Sequence, residues 1–295
     1  MTSITLPSDE IFSHWLAYGG KFSPDTLRAN LEHSKRLGYG GMVIVPALIP
    51  PEYPPAAISE VFADTRMKGI ACLFNKGSGK DPLNPLESDE VLNELRLQMP
   101  YSVDLSTCGL GPSLALGPAY VRHVVKGCEF RQENLCCWMG RLRDFGQENQ
   151  TRLAIEILNN FEDPTVPNKF RNLREAIRGF EDWLGFQVDT GHWNKLGFTA
   201  ADILEAKAGH LVWYLELVNG MREPLEEPKG VPIWEWIEAA HHFPALRAIG
   251  VEPFDPENVV KPFGLDALCQ TRMPGSDCLV LDARTLRMRQ VMTLR

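Results

Sequence analysis

Four short segments in the second half of the chain pass from apolar residues into a loop, and each ends in a carboxylate. The segments are 154–156, 187–189, 214–216 and 250–252, and the acids are Glu156, Asp189, Glu216 and Glu252. Successive acids lie 33, 27 and 36 residues apart, close to the length of one strand followed by one helix. Residues at the carboxyl ends of successive barrel strands converge above one end of the barrel. The repeat therefore favours a (β/α)8 barrel of the α/β class.

The rest of the chain supports this fold by its alternation of apolar runs and segments with helical spacing. We predict strands at 11–18, 41–45, 70–74, 112–117, 152–158, 186–189, 211–217 and 249–252. We predict helices at 24–37, 56–67, 89–105, 132–149, 170–184, 199–207, 233–241 and 265–269. Strict alternation indicates a parallel sheet, and eight units indicate a closed TIM barrel. A doubly wound open sheet is the alternative, but no GxGxxG turn follows the first strand.

The length of 295 residues and the hydrophobic content of 44% suit one large core. We predict a single barrel domain over 1–275 and a short C-terminal extension over 276–295. The extension has two apolar stretches around a polar middle, so it forms either a hairpin or an ordered tail without a function of its own.

Composition also limits the binding partners and the cellular compartment that we expect. No run of 18 apolar residues is present and the first residues lack an apolar signal core, so we expect no membrane span and a cytoplasmic location. The net charge of −8 argues against nucleic-acid binding. The seven cysteines lack CxxC spacing, which we interpret as free buried thiols in a reducing cytosol.

Side chains alternate faces along a strand, so parity indicates which ones point into the barrel. On strand seven we assign one parity to the outer, helix-covered face and the other to the inside. The outer set is Leu211, Trp213, Leu215 and Leu217, and the inner set is Val212, Tyr214 and Glu216. The other three acids also fall on the inner parity. One strand-end acid more often caps a helix or meets solvent, but four acids at one point repel each other unless a cation lies among them. The set predicts a hard divalent metal.

At these residues the chain resembles the xylose isomerase-like superfamily of sugar isomerases and epimerases. It looks most like ketose 3-epimerases of the tagatose and allulose type. The most specific matches are 153–162 and 188–194, and 116–118, 219–224 and 250–254 add to them. The resemblance implies a TIM barrel and an isomerase reaction.

The resemblance also implies a metal site made of a Glu, an Asp, a His and a second Glu. Glu156, Asp189 and Glu252 match the first, second and fourth ligands, whereas Glu216 stands where the family has its histidine. His210 is nearby, but it lies at the start of the strand, about 20 Å from Glu216 at roughly 3.3 Å per residue. An all-oxygen set suits Mn2+ or Mg2+ better than zinc or copper. Alternatively, Glu216 no longer binds metal, or the metal is weak or absent.

The same resemblance assigns roles in catalysis. Glu156 and Glu252 would exchange a carbon-bound proton through an enediolate, one removing it and the other returning it on the opposite face. His192 and Arg222 would hold substrate oxygens, and Glu162 would contact a hydroxyl. Other readings stay open: His192 as a surface-loop histidine, and Arg222 in a salt bridge to a neighbouring glutamate.

Several functions remain after this reasoning. The first is a metal-dependent epimerase or isomerase that acts on a ketose or a related polyol ketone. The second is a lyase, such as an inosose dehydratase-like enzyme, or an enzyme that tailors a sugar-like natural product. The third is a metal-free, non-catalytic partner subunit. Endonuclease IV-like DNA repair fits poorly with the acidic charge. We expect a small sugar or sugar-like substrate, no nucleic acid and no membrane, and a homo-oligomer stays open.

Overall fold

The computed structural model describes residues 11–18, 22–36, 38–74, 80–120, 130–158, 168–218 and 231–252. Two candidate substrate-binding residues, Glu162 and Arg222, lie outside these ranges. The helix predicted at 265–269 and the extension at 276–295 also lie outside them.

Eight parallel strands within the described ranges form a closed barrel in chain order. They are β1 Ile11–His14, β2 Gly41–Ile44, β3 Lys68–Cys72, β4 Leu114–Tyr120, β5 Arg152–Ile157, β6 Leu184–Asp189, β7 Val212–Leu217 and β8 Ala248–Val251. The barrel closes because β1 pairs with both β2 and β8. The predicted (β/α)8 barrel is confirmed, and the open doubly wound sheet is excluded.

Helices connect and cover the strands. They are α1 Pro24–Arg36, α2 Pro55–Thr65, α3 Ser88–Thr107, α4 Gln132–Glu148, α5 Lys169–Ala176, α6 Thr190–Lys195, α7 Ala200–Glu205 and α8 Ile233–Ala240. Short 3-10 helices occupy Trp15–Tyr18, Pro46–Leu48 and Gly209–Leu211. In α1, Leu27 and Leu31 are fully buried one helical turn apart, which is the amphipathic pattern that the sequence predicts.

Three local predictions were wrong. The first strand ends at His14 instead of running to Tyr18, because the backbone N–H of Leu16 bonds to the His14 side chain and starts a 3-10 turn. Helix α5 ends at Ala176, and Gly179, with φ of +85°, turns the chain towards β6. The short helix α6 directly after β6 was not predicted at all.

The two faces of β7 also differ from the prediction at its start. Trp213 lies in the inner cluster of the barrel and Val212 lies in the outer core, the reverse of the predicted parity. The cause is a register shift between β6 and β7: Phe186 pairs with Val212, and the next residue, Gln187, pairs with Tyr214. The shift leaves Trp213 as an extra residue on β7, as in a β-bulge.

Trp213 fills part of the barrel interior. A Cβ added at Gly185 would lie 2.4 Å from its indole, so a glycine is required there. The Arg152 guanidinium lies 5.6 Å from the centre of the Trp213 ring. The inner cluster is Phe12, Val43, Ile70, Leu114, Leu116, Ala154, Trp213, Tyr214 and Ala248. Side chains therefore pack the middle of the barrel and leave the carboxyl ends of the strands for a site.

The exposure of the cysteines differs from the prediction. Cys108, Cys136 and Cys137 are free but exposed, so the prediction of buried thiols was wrong for them. Cys136 and Cys137 are neighbours on α4, and their side chains point about 100° apart. Both directions face solvent, because the buried side of α4 is made by other residues. Among the described residues, no helix has the length and apolar character needed to span a bilayer.

Candidate active site

The four acids lie together at the carboxyl ends of β5 to β8. Glu156 is on β5, Asp189 ends β6, Glu216 is on β7 and Glu252 directly follows β8. Asp189, Glu216 and Glu252 are buried, and the Glu156 side chain is 13% exposed. These are the positions that strand parity predicts. Buried carboxylates in such proximity need a compensating positive charge or hydrogen-bond donors.

The acids fall into two groups, and each group contains a histidine. Glu156, Asp189 and His192 form the first group, and His14, Glu216 and Glu252 form the second. Within each group, one nitrogen or oxygen atom per residue lies within 4.8 Å of the others. The groups adjoin, because Asp189 and Glu216 are paired residues on neighbouring strands.

His192 owes its position to Asp189. The Oδ1 atom of Asp189 accepts a 2.9 Å hydrogen bond from the backbone N–H of His192 and so caps α6. The cap turns the imidazole back over the strand end, where Nε2 lies 3.6 Å from Oε1 of Glu156 and 3.7 Å from Oδ2 of Asp189. The side chain is 5% exposed, so the surface-loop reading of His192 was wrong.

Two contacts hold α6 in place. The hydroxyl of Thr190 donates to the carbonyl of Val218 and accepts from its backbone N–H, both at 2.8 Å. Trp193 is fully buried and packs against Phe170, with ring centroids 5.1 Å apart. The first contact ties the helix to the end of β7, and the second ties it to α5.

Glu216 is held through Gln187 on the neighbouring strand. The backbone N–H of Gly117 donates to Oε1 of Gln187 at 3.2 Å, and Nε2 of Gln187 donates to Oε2 of Glu216 at 2.9 Å. Gly117 has φ of +68° at the register shift in β4, a conformation that favours glycine. Because a backbone N–H can only donate, it fixes the orientation of the amide. Glu216 therefore accepts this hydrogen bond.

Tyr214 lies beneath Glu216 in the barrel. It is fully buried, and this burial raises its pKa well above 10.0, with the negative charge of Glu216 as a further cause. The phenol therefore stays neutral. Gly250 on β8 makes room for it, since a Cβ there would lie 1.8 Å from the Tyr214 hydroxyl oxygen.

His14 is a site residue that sequence reasoning missed. It ends β1, its Nδ1 accepts a 3.2 Å hydrogen bond from the backbone N–H of Leu16, and its Nε2 lies 3.7 Å from Oε1 of Glu252. The available signal was parity, because His14 shares the inner face with Phe12. The strand predicted to reach Tyr18 placed His14 in mid-strand, which hid its position at the strand end. His210, in contrast, is exposed and precedes β7, away from the acids.

The residues present fit a hard divalent cation. Each group has two carboxylates, of which only that of Glu156 is partly exposed, and the atoms of each group lie within the reach of one ion. His192 adds a nitrogen donor to the first group, and imidazole nitrogen also suits manganese and zinc.

Comparisons with known proteins show the fold. No family model matches the chain, and no curated protein matches it in sequence. The D-allulose 3-epimerase from Methylomonas sp., solved in complex with D-allulose, is 18% identical with a TM-score of 0.69 over 100% of both chains. An L-ribulose 3-epimerase is 15% identical, with a TM-score of 0.71 over 96% of this chain and 93% of that one. The IolI protein, solved with a zinc atom, is 14% identical, with a TM-score of 0.65 over 97% of each. The chain shares the barrel fold of these solved structures.

Proposed function

We propose that this protein is a divalent-metal-dependent epimerase or isomerase that acts on a ketose or a related polyol ketone. The observation that carries the proposal is the pair Glu156 and Glu252, which lie at the carboxyl ends of β5 and β8, each beside a histidine. The likeness to the D-allulose and L-ribulose 3-epimerase structures supports the substrate class.

Glu156, Asp189, Glu216 and Glu252 would hold the metal, with Mn2+ or Mg2+ as the favoured ions. A bound cation supplies a Lewis acid, which acidifies a C–H bond beside a carbonyl and stabilises the negative charge that develops. Because the IolI neighbour was solved with zinc, zinc belongs in any test of metal identity.

Glu156 and Glu252 would perform the proton transfers. One carboxylate accepts the proton of the C–H bond, whose electrons form the C=C bond of an enediolate. The other carboxylic acid then returns a proton to the opposite face, which inverts that carbon. The two residues suit this work because β5 and β8 are separated by two strands around the barrel.

His192 would hold a substrate oxygen near Glu156. Its Nε2 atom lies within 3.7 Å of both Glu156 and Asp189, so a substrate oxygen held there would be close to the proton-transfer group. Arg222 and Glu162 complete the proposed substrate contacts on the strength of the family resemblance.

Elimination of water is the second candidate reaction. Instead of regaining a proton at carbon, the same enediolate can break the C–O bond to a β-hydroxyl group. The carboxylic acid that took the first proton then gives it to the departing oxygen, so that water leaves. Glu216 is the observation in favour of it, because a carboxylate stands where the resemblance implies a histidine, and a changed ligand set favours a changed reaction.

Solvent exchange tests the proposal. Purified protein is stripped with a chelator, reloaded with Mn2+, Mg2+ or zinc, and incubated in D2O with a panel of ketoses and inososes. We expect deuterium to enter a substrate only with metal present, and without net loss of water. Glu252→Gln should abolish this exchange, whereas Glu205→Gln, an exposed residue on α7, should leave it unchanged.

Other outcomes are informative. Net elimination from an inosose would replace epimerisation with the lyase reaction. Absence of bound metal, together with no rescue by any of the three ions, would overturn the enzyme assignment.

A further inference from the structure

His14 and Glu252 are neighbours at one point of the barrel rim. Ser13 on β1 pairs with Val251 on β8. His14 directly follows Ser13, and Glu252 directly follows Val251. Both side chains are buried, with 4% and 5% of their surface exposed, and Nε2 of His14 lies 3.7 Å from Oε1 of Glu252. The buried imidazole therefore belongs to the same cluster as the Glu216 and Glu252 carboxylates.

The backbone decides which nitrogen of His14 carries the proton. The N–H of Leu16 can only donate, and it bonds to Nδ1 of His14 at 3.2 Å. Nδ1 therefore uses its lone pair as an acceptor and has no proton. In a neutral imidazole the proton then lies on Nε2, the nitrogen nearest Glu252.

A protonated nitrogen has no lone pair for a metal ion. Although the distances of the second group permit metal binding by His14, its tautomer does not. The imidazole instead presents an N–H donor to the carboxylates of the second group.

Gln187 provides a parallel. It donates an N–H to Glu216 and is held by a backbone N–H at its other end. His14 has the same arrangement, with a backbone N–H on the far nitrogen and its own N–H towards Glu252. Each of the two adjoining carboxylates thus faces a neutral N–H donor whose far end is held by a backbone N–H.

We propose that His14 is a positioning residue that presents its Nε2–H to Glu252 and is not a metal ligand. The significance of this for proton transfer rests on the proposed function, because it concerns the carboxylate assigned as a proton-transfer group. The tautomer and the absence of metal coordination by His14 do not rest on it.

The tautomer can be measured directly. Two-bond 1H–15N correlation spectra of protein labelled with 15N-histidine distinguish a protonated ring nitrogen from an unprotonated one, and loss of signals in His14→Gln assigns the residue. We expect Nε2 to be protonated and Nδ1 unprotonated, both without metal and with Mg2+. Glu252→Gln should shift the Nε2–H resonance, whereas Glu205→Gln on the exposed face of α7 should not.

Metal coordination is tested with Mn2+ alone as the probe. Electron spin echo modulation of Mn2+-loaded protein detects nitrogen bound to the ion, and His14→Gln should leave that pattern unchanged. A nitrogen modulation that disappears in His14→Gln, or an unprotonated Nε2 in the Mg2+ form, would overturn the inference. An Nε2–H resonance that ignores Glu252→Gln would overturn it as well.

The two proposals fail in different ways. If the wild-type protein binds no Mn2+, the proposed function fails, and the tautomer and the response to Glu252→Gln still decide the role of His14. If Mn2+ binds and His14 proves to be a ligand, the proposed function stands and this inference fails.

Discussion

The Nε2 atom of Gln187 donates a 2.9 Å hydrogen bond to Glu216, and the backbone of Gly117 holds the other end of the same amide at 3.2 Å. A carboxylate on β7 is thus oriented by a residue on β6 and by the backbone of β4. The orientation of Glu216 depends on the glycine conformation at the β4 register shift.

Gln187→Met should lower the free energy of unfolding by about 1–3 kcal/mol, because it leaves a buried N–H and a buried carboxylate without their partner. Urea unfolding measures the effect. Gln147→Met on the exposed face of α4 is the control and should change stability by no more than about 0.5 kcal/mol. Equal midpoints for the two variants would contradict this account of the network.

Glu216→His should keep or improve metal binding, because it restores the residue type that the family resemblance implies. It should also move the preference from Mn2+ towards zinc, since imidazole suits zinc better than a carboxylate does. Metal content after dialysis and titration calorimetry with each ion provide the measurement. Glu216→Leu, which removes the carboxylate, should weaken binding. A folded Glu216→His protein without metal would show that position 216 is not a metal position.

Gly250→Ala should destabilise the barrel by about 1–3 kcal/mol, because the new methyl group lies 1.8 Å from the Tyr214 hydroxyl oxygen. The double variant Gly250→Ala with Tyr214→Phe should recover part of this loss, since it removes the nearest colliding atom. Gly140→Ala on α4 is the matched control, because a Cβ there meets nothing within 4 Å and should be neutral or stabilising. Thermal and urea unfolding of the four proteins test the set.

Thr190→Val should cost about 1–3 kcal/mol, because both hydrogen bonds between its hydroxyl and Val218 are buried. Thr190→Ser keeps the hydroxyl and should retain most of the stability. Amide hydrogen exchange at Val218 gives a local readout that should become faster only in the valine variant. Unchanged exchange there would mean that Thr190 does not hold the end of β7.

Removal of divalent metal should lower the thermal unfolding midpoint, because an ion bound only by the folded state stabilises it. At a free ion concentration of 100 times Kd the gain is about 2.7 kcal/mol. Differential scanning calorimetry with a chelator and then with added Mn2+ measures it. The Asp189→Asn variant should lose most of this response. Asp202→Asn should keep it, because Asp202 lies in the capping box of α7 and belongs to neither group of candidate ligands.

The barrel and the placement of the acids followed from the sequence because both depend on period and parity. Glu156, Asp189, Glu216 and Glu252 each end an apolar run, and the spacing between them carries the fold. Alternation of side chains predicts the inner face correctly when a strand is continuous, and β5 and β6 are continuous over their whole length.

The remaining features depend on interactions that spacing does not record. Trp213 turns inward because of a register shift against β6, which concerns two strands and not one. His14 reaches the site because its own ring accepts the Leu16 N–H and ends the strand. Asp189 looked only like a ligand, yet it also caps a helix that brings His192 to the site. Each miss is a local hydrogen bond or pairing that overrode the simple pattern.

The inward turn of Trp213 closes the middle of the barrel. The Trp213 indole packs against Gly185, and the Arg152 guanidinium lies beside the indole. Side chains therefore fill the middle of the barrel. A molecule bound at the carboxyl ends of the strands therefore cannot pass through the barrel. For the proposed enzyme, product bound there would compete with the next substrate, which predicts competitive product inhibition.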